Sequence, residues 1–122
     1  MNGTRSIEKD CYIKPKKAWR LLKTADDENV TAYIYGVSGT GKSTLITRYL
    51  GKRKYKMLHA GTITPEELQI PEGAVRKIIV IDDLHELIWE EDDAIQDAIF
   101  RLIVREDVWV ILSGRCPVPP WL

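Results

Sequence analysis

The sequence has few cysteines and no long apolar run. Its two cysteines, Cys11 and Cys116, are too few and too far apart for a disulfide-rich scaffold or a cysteine metal-ligand pattern. No segment approaches the roughly 20 apolar residues that span a bilayer. Residues 1–10 also lack the apolar stretch of a secretory signal peptide. We therefore expect a soluble protein of a reducing compartment, with a cytoplasmic location and no membrane partner.

Net charge is lacking as well, because 18 Lys and Arg balance 18 Asp and Glu. The charges are nevertheless separated: residues 1–60 hold 13 basic and 5 acidic residues, and residues 61–122 hold 5 and 13. This asymmetry fits an anion-binding half facing a cation-binding half, a basic arm for nucleic acid, or two solvated faces that pair on folding. For the basic run 52–56, a solvated helix end is favoured over a nucleic-acid contact.

Apolar patterning predicts one domain in which helices and strands alternate. The predicted strands cover residues 31–35, 55–60, 76–83 and 108–112, and the predicted helices cover residues 15–27, 42–50, 65–69 and 93–105. Such alternation is typical of parallel βαβ units and an α/β fold. Residues 1–13 show no sustained period, so we expect a flexible N-terminal arm before a core at 14–122.

Residues 36–43, GVSGTGKS, match the phosphate-binding pattern G-x-x-x-x-G-K-[ST] at every required position. The spacing suits phosphate because successive backbone N–H groups must turn inward around it, which only small residues allow. A predicted strand precedes the loop, and the helix after it adds its positive end. The predicted nucleotide-binding residues are Gly36, Val37, Ser38, Gly39, Thr40, Gly41, Lys42, Ser43 and Thr44.

Two adjacent acids follow the most apolar predicted strand, IIVI at residues 78–81. In a parallel sheet this position lies beside the phosphate loop, so Asp82 is predicted to hold Mg²⁺ together with the Ser43 hydroxyl. Asp83 is then placed to polarise an attacking water, and Lys42 to reach the β- and γ-phosphates. The alternative for the acid pair is the start of a solvated loop.

Other polar residues near the strand ends have competing explanations. If the last strand lies beside the strand before the phosphate loop, its end can present Arg115 or Ser113 to the γ-phosphate. The alternative for Arg115 is a surface position near the chain end. For His85 and Glu86, a surface or helix-cap role is favoured, and His59 is better explained as a packed or solvated residue than as a catalytic one.

Three segments together resemble the N-terminal ATPase core of large LuxR-type transcriptional regulators, which belong to the STAND class of signal-transducing P-loop ATPases. They are residues 12–50 with the phosphate loop, 78–87 with the tandem acids, and 110–122 with a Ser-Gly-Arg-x-Pro-x-Pro ending. The resemblance implies a P-loop NTPase fold, with a parallel sheet flanked by helices in ASCE-type order, truncated after about four strands.

The resemblance also implies a switch. ADP is held in a closed resting form and exchanged for ATP when an inducer binds a distant sensor domain, after which the protein self-associates. Lys42 and Ser43 take the Walker A roles, Asp82 and Asp83 the Walker B roles, and Arg115 that of a sensor reading the γ-phosphate. DNA is contacted only through a domain absent from this chain, and slow ATP hydrolysis is left open.

The chain departs from the family pattern in its loop and in its length. Family members usually carry an Ala-rich loop with an aromatic residue before the last Gly and a Thr after the Lys. This chain has Val37, Thr40 and Ser43 instead, and each is compatible with phosphate binding. The family core also needs a fifth strand on the far side of the P-loop strand, a helical lid and a winged-helix domain. We therefore expect a fragment in which the strand at 31–35 is a sheet edge liable to pair with another copy.

Two further functions compete with the switch. A small P-loop kinase or other P-loop ATPase would share the phosphate loop, but a kinase lid rich in arginine is not evident, since only five basic residues follow Lys56. An interaction module would hold nucleotide without hydrolysing it. Tight ADP retention with little turnover would favour the interaction module.

Overall fold

A computed structural model of the chain describes residues 15–35, 41–87 and 93–114, so the predicted N-terminal arm lies outside the described residues. Helices and strands alternate within these ranges, as the sequence predicts. The elements in chain order are α1 (Pro15–Glu28), β1 (Ala32–Tyr35), α2 (Gly41–Leu50), β2 (Lys56–His59), a 3-10 turn (Pro65–Leu68), β3 (Lys77–Asp82), a second 3-10 turn (Leu84–Glu86), α3 (Asp93–Ile103) and β4 (Val108–Gly114).

The four described strands form one parallel sheet in the order β1-β4-β3-β2. The register aligns Tyr35 with Gly114 and His59 with Asp82. The carboxyl ends of all four strands therefore meet at one edge of the sheet, where α2 begins. Among the described strands β1 is an edge strand, as predicted, and β4 lies beside it.

Helices cover both faces of the sheet and make two apolar cores. The central strands β3 and β4 are buried almost throughout because each lies between these cores. One face is covered by α1 and α2, through the buried residues Ala18, Leu22, Ala25, Ile46 and Leu50. The other face is covered by α3 and the first 3-10 turn, through Ile99, Leu102 and Leu68. None of the described helices is long and apolar enough to cross a membrane.

The inward face of α1 does not include its tryptophan. The spacing of Trp19 and Leu22 in the sequence predicts that they share an apolar stripe, but the side of α1 that packs on the sheet is Ala18, Leu22 and Ala25. Trp19 is 40% exposed. It contacts Tyr49 of α2 edge-to-face, with ring centroids 5.1 Å apart. Small residues on the inward face let α1 approach the sheet closely, and the tryptophan packs along the side of the helix instead.

Strand β4 is longer than predicted. The apolar pattern ends at residue 112, but pairing with β1 continues through Ser113 and Gly114, which align with Ile34 and Tyr35. Ser113 is completely buried as a result. A polar residue predicted to lie in a loop is therefore part of the central sheet, at the edge where α2 begins.

A cluster of charged and aromatic residues joins α1 to the opposite end of the sheet; we call it the Asp26 cluster, and it comprises Asp26, Tyr49, Arg53, Arg76 and Trp109. Asp26 accepts hydrogen bonds from Arg53 at 2.6 Å, Arg76 at 2.7 Å and Tyr49 at 2.8 Å. The two guanidinium groups lie 5.8 and 4.9 Å from the ring of the buried Trp109. Residues 51–54 directly after α2 are exposed, as expected for a solvated helix end, and Arg53 in addition pairs with Asp26.

Candidate functional site

The predicted phosphate loop connects β1 to α2, at the carboxyl edge of the sheet. Strand β1 ends at Tyr35 and α2 begins at Gly41, so the flanking elements are those the motif requires. Residues 36–40, the first five predicted nucleotide-binding positions, lie outside the described residues. The site can therefore be built from the remaining loop residues on α2 and from the strand ends.

Asp82, the last residue of β3, is bound by hydroxyl groups from two other elements. Its Oδ2 accepts a hydrogen bond from Ser43 Oγ of α2 at 3.0 Å. Its Oδ1 accepts from the hydroxyl of Ser113 on β4 and from the backbone N–H of Asp83, the latter at 3.0 Å. The structure thus brings together the two predicted metal ligands, Ser43 and Asp82, which are 39 residues apart in the sequence.

Burial and hydrogen bonding act in opposite directions on the pKa of Asp82. Burial raises the pKa because it disfavours the charged carboxylate, whereas the hydrogen bonds from Ser113, Ser43 and the Asp83 amide lower it. The hydrogen bonds prevail, so the pKa of Asp82 lies below its usual range. Asp82 is consequently ionised at neutral pH, which a metal ligand requires.

Lys42 reaches from the start of α2 to the end of β4. Its Nζ donates a hydrogen bond to the backbone carbonyl of Gly114 at 3.2 Å. The ammonium group therefore lies at the edge of the sheet where all four strands end. Thr44, the last predicted nucleotide-binding residue, is exposed on the first turn of the same helix.

Asp83 follows Asp82 in a left-handed backbone conformation, with φ of 56°. Left-handed residues other than glycine are uncommon, and aspartate is among the few that adopt this conformation. Here the chain turns sharply out of β3 into the second 3-10 turn. The Asp83 carboxylate Oδ2 lies 3.5 Å from Nδ1 of His59, the last residue of β2.

His59 is solvated, which is one of the two environments expected for it, since its side chain is 57% exposed. Its Nδ1 also lies 3.5 Å from Asp83 and 4.0 Å from Asp82, a contact that the sequence did not predict. The signal available in the sequence was a titratable residue at or next to the end of each of the two predicted strands. Only the pairing of β2 with β3, which aligns His59 with Asp82, makes these residues neighbours.

Arg115, the candidate for sensing the γ-phosphate, and the side chain of His85 lie outside the described residues. Glu86, for which a surface or helix-cap role was favoured, is exposed, and its carboxylate lies close to Gly61, where an added Cβ would be 2.7 Å from Oε2. A groove of about 690 Å³ lies between the first 3-10 turn and α3 and includes no predicted site residue.

The arrangement offers complementary groups for a phosphate and a hard cation. A lysine at a helix N-terminus attracts anions, and the Ser43 hydroxyl and Asp82 carboxylate provide the oxygen ligands that Mg²⁺ prefers. The donor set therefore fits Mg²⁺. No protein-family model matches the sequence, and no curated protein matches it significantly.

Proposed function

We propose that this chain is a P-loop ATPase core that binds ATP or ADP together with Mg²⁺. The observation that carries the proposal is the 3.0 Å hydrogen bond between Ser43 and Asp82. It joins the last residue of the sequence motif GVSGTGKS to an acid that the motif does not contain. A glycine-rich turn without a role in nucleotide binding would not require a buried carboxylate, here Asp82, that accepts a hydrogen bond from its serine.

The strand order supports the assignment of this parallel α/β sheet to a P-loop fold of ASCE type. In that order an additional strand separates the strand before the phosphate loop from the strand that ends in the metal-binding acid. Here β4 separates β1 from β3. Its residue Ser113 contacts Asp82, and its residue Gly114 accepts the Lys42 hydrogen bond.

Lys42 is available for phosphate in this arrangement. Its present acceptor, the Gly114 carbonyl, is neutral, and a phosphate oxygen is a stronger partner because its negative charge attracts the ammonium group. Ser43 and Asp82 would hold Mg²⁺, which supplies positive charge between the β- and γ-phosphates when it is bound. Ser113 and the Asp83 amide keep Asp82 oriented for this role.

The biological role we propose is a nucleotide-dependent switch in a LuxR-type regulator. Its support is the resemblance of residues 12–50, 78–87 and 110–122 to that family, together with the edge position of β1. The strand β1, AYIY, carries no charge that would discourage pairing with another chain. Self-association through the nucleotide domain is part of the proposal.

Nucleotide binding is tested by thermal unfolding with and without MgADP. At about 100 times the dissociation constant, ligand binding stabilises a protein by about 2.7 kcal/mol, which for a chain of this size raises Tm by on the order of 10 °C. We expect this shift for the wild-type chain. Lys42→Ala should bind MgADP at least about tenfold more weakly, because it removes the charge-assisted phosphate contact.

Lys23→Ala is the matched control for the loss of a lysine, since Lys23 lies on α1 with its side chain 68% exposed. We expect its MgADP shift to equal that of the wild type. A wild-type Tm that is unchanged at millimolar MgADP would contradict nucleotide binding by this chain. Equal shifts for Lys42→Ala and wild type would contradict the assigned role of Lys42.

Hydrolysis is tested separately with Asp83→Asn. We assign to the Asp83 carboxylate, which is 38% exposed, the polarisation of an attacking water. The Asp83→Asn variant should keep its affinity for MgADP within about twofold of the wild type. It should lower the rate of phosphate release from MgATP by about 100-fold, the usual contribution of a general base. Equal release in variant and wild type would remove Asp83 from this role. A wild-type chain that binds ATP without releasing phosphate would instead favour an interaction module that holds nucleotide without hydrolysing it.

A further inference from the structure

One imidazole and two carboxylates lie close together where β2 and β3 end. Nδ1 of His59, one oxygen of Asp82 and one of Asp83 all lie within 4.8 Å of one another. These residues come from the ends of two neighbouring strands, β2 and β3, and from the turn after β3. We propose that they form a site for a divalent transition metal, which takes the place of Mg²⁺ beside the phosphate loop.

The distances suit a common metal ligand sphere. Nitrogen and carboxylate ligands lie about 2.0–2.2 Å from a bound divalent ion, so ligands at tetrahedral to octahedral angles are about 3.0–3.5 Å apart. His59 Nδ1 and Asp83 Oδ2 are 3.5 Å apart. His59 Nδ1 and Asp82 Oδ2 are 4.0 Å apart, so a small movement of the exposed imidazole brings all three atoms around one ion.

The charge balance also favours a cation. Asp82 is held ionised by its hydrogen bonds, and a second carboxylate lies beside it. Within residues 15–35, 41–87 and 93–114, His59 is the only basic side chain within 4.0 Å of either carboxylate. Two carboxylates match the charge of a divalent ion, and the exposed side of the His59 ring leaves an entry path from solvent.

The ligand types decide which metal is expected. Imidazole nitrogen suits first-row transition metals such as Co²⁺ and Zn²⁺, whereas Mg²⁺ prefers oxygen ligands throughout. Because Asp82 Oδ2 also contacts the proposed magnesium ligand Ser43, the two ions share one position and exclude each other. The inference rests on the proposed function for the use of this metal with nucleotide, but its binding requires only the three side chains.

The test uses the chain without a polyhistidine tag and titrates it with Co²⁺ in the absence of nucleotide, following the visible absorption of the bound ion. We expect saturable binding by the wild type and at least tenfold weaker binding by His59→Ala and by His59→Gln, the latter keeping the size of a polar side chain. The matched control is His85→Ala, which removes the other histidine of the sequence and should bind within twofold of the wild type.

Unchanged Co²⁺ affinity in both His59 variants overturns the proposal, and it indicates that His59 only pairs with Asp83. Loss of affinity in His85→Ala with retention in the His59 variants overturns it as well. The MgADP shift in Tm is measured on the same proteins and should be unaffected by His59→Ala. A Co²⁺ site that depends on His59, found without any nucleotide shift, would support this inference while contradicting the proposed nucleotide binding.

Discussion

Replacing Trp109 with alanine is expected to lower the free energy of unfolding by about 3–5 kcal/mol, the usual cost of removing a large buried aromatic side chain. Trp109 is 1% exposed, and it lies in the apolar core between the sheet and the helices α1 and α2. Its ring contacts Tyr49 edge-to-face and lies against two guanidinium groups. The expected loss is a large fraction of the total stability of a domain of this size.

Trp109→Phe separates the aromatic packing from the hydrogen bond. The indole Nε1 donates to the Val30 carbonyl at 2.8 Å, which ties the start of β1 to β4. Phenylalanine keeps most of the ring contacts but leaves this carbonyl without its partner, so we expect a loss of about 1–2 kcal/mol.

Urea unfolding followed by circular dichroism measures both variants. Trp19→Phe, at a position 40% exposed, is the control and should cost less than either. An alanine variant as stable as wild type would contradict the assignment of Trp109 to the core.

Asp26→Asn is expected to lower the free energy of unfolding by about 2–3 kcal/mol, because it removes the charged acceptor of three side-chain donors. Arg53 and Arg76 are partly exposed and stay solvated in the variant, which keeps the loss below that of a fully buried ion pair. The matched control is Asp27→Asn. Its carboxylate is 68% exposed and pairs only with Lys23 at 4.0 Å among the described residues, so the change should cost less than about 0.5 kcal/mol.

The pH dependence of the free energy of unfolding provides a second test of the stabilising role of Asp26. The hydrogen bond from Arg53 is the largest of the effects that hold the pKa of Asp26 far below its ordinary value of 3.8. A depressed folded-state pKa stabilises the protein above the unfolded-state pKa, and this stabilisation is lost as the pH falls below about 4. Asp26→Asn should therefore lose less stability than wild type between neutral pH and pH of about 3. Identical acid sensitivity of the two proteins would contradict this assignment. Asp107, whose pKa the Arg105 side chain lowers to about 2, contributes equally to both.

Much of the local structure could be predicted because short-range patterns determine it. Four consecutive apolar residues in β3 predict a strand covered on both faces, and the structure confirms this burial. The spacing of Ile95, Ile99, Leu102 and Ile103 predicts the inward face of α3; Ile99 and Leu102 are buried, and the other two are partly buried against the same core. A glycine at position 51 predicts the end of α2, and Gly51 adopts a positive φ of 58° directly after the helix.

The site could be predicted only in part, because its geometry depends on which strands become neighbours. The motif GVSGTGKS indicated Lys42 and Ser43, and the tandem acids indicated Asp82 and Asp83. Their assembly requires the order β1-β4-β3-β2, which no local pattern encodes. Ser113 was a candidate for facing the γ-phosphate, but its contact with Asp82 was not predicted, since it exists only where β4 lies beside β3.

The sequence by itself determined that the chain alternates helices and strands, that a phosphate-loop motif precedes α2, and that two acids end the most apolar strand. Periodicity, turn residues and motif spacing are properties of neighbouring residues, so they can be recognised without a fold. The tertiary structure alone decided that Ser113 binds Asp82, that His59 lies against the acid pair, and that Arg53 and Arg76 share Asp26. Those contacts join residues far apart in the chain, and long-range packing of the sheet and helices brings them together.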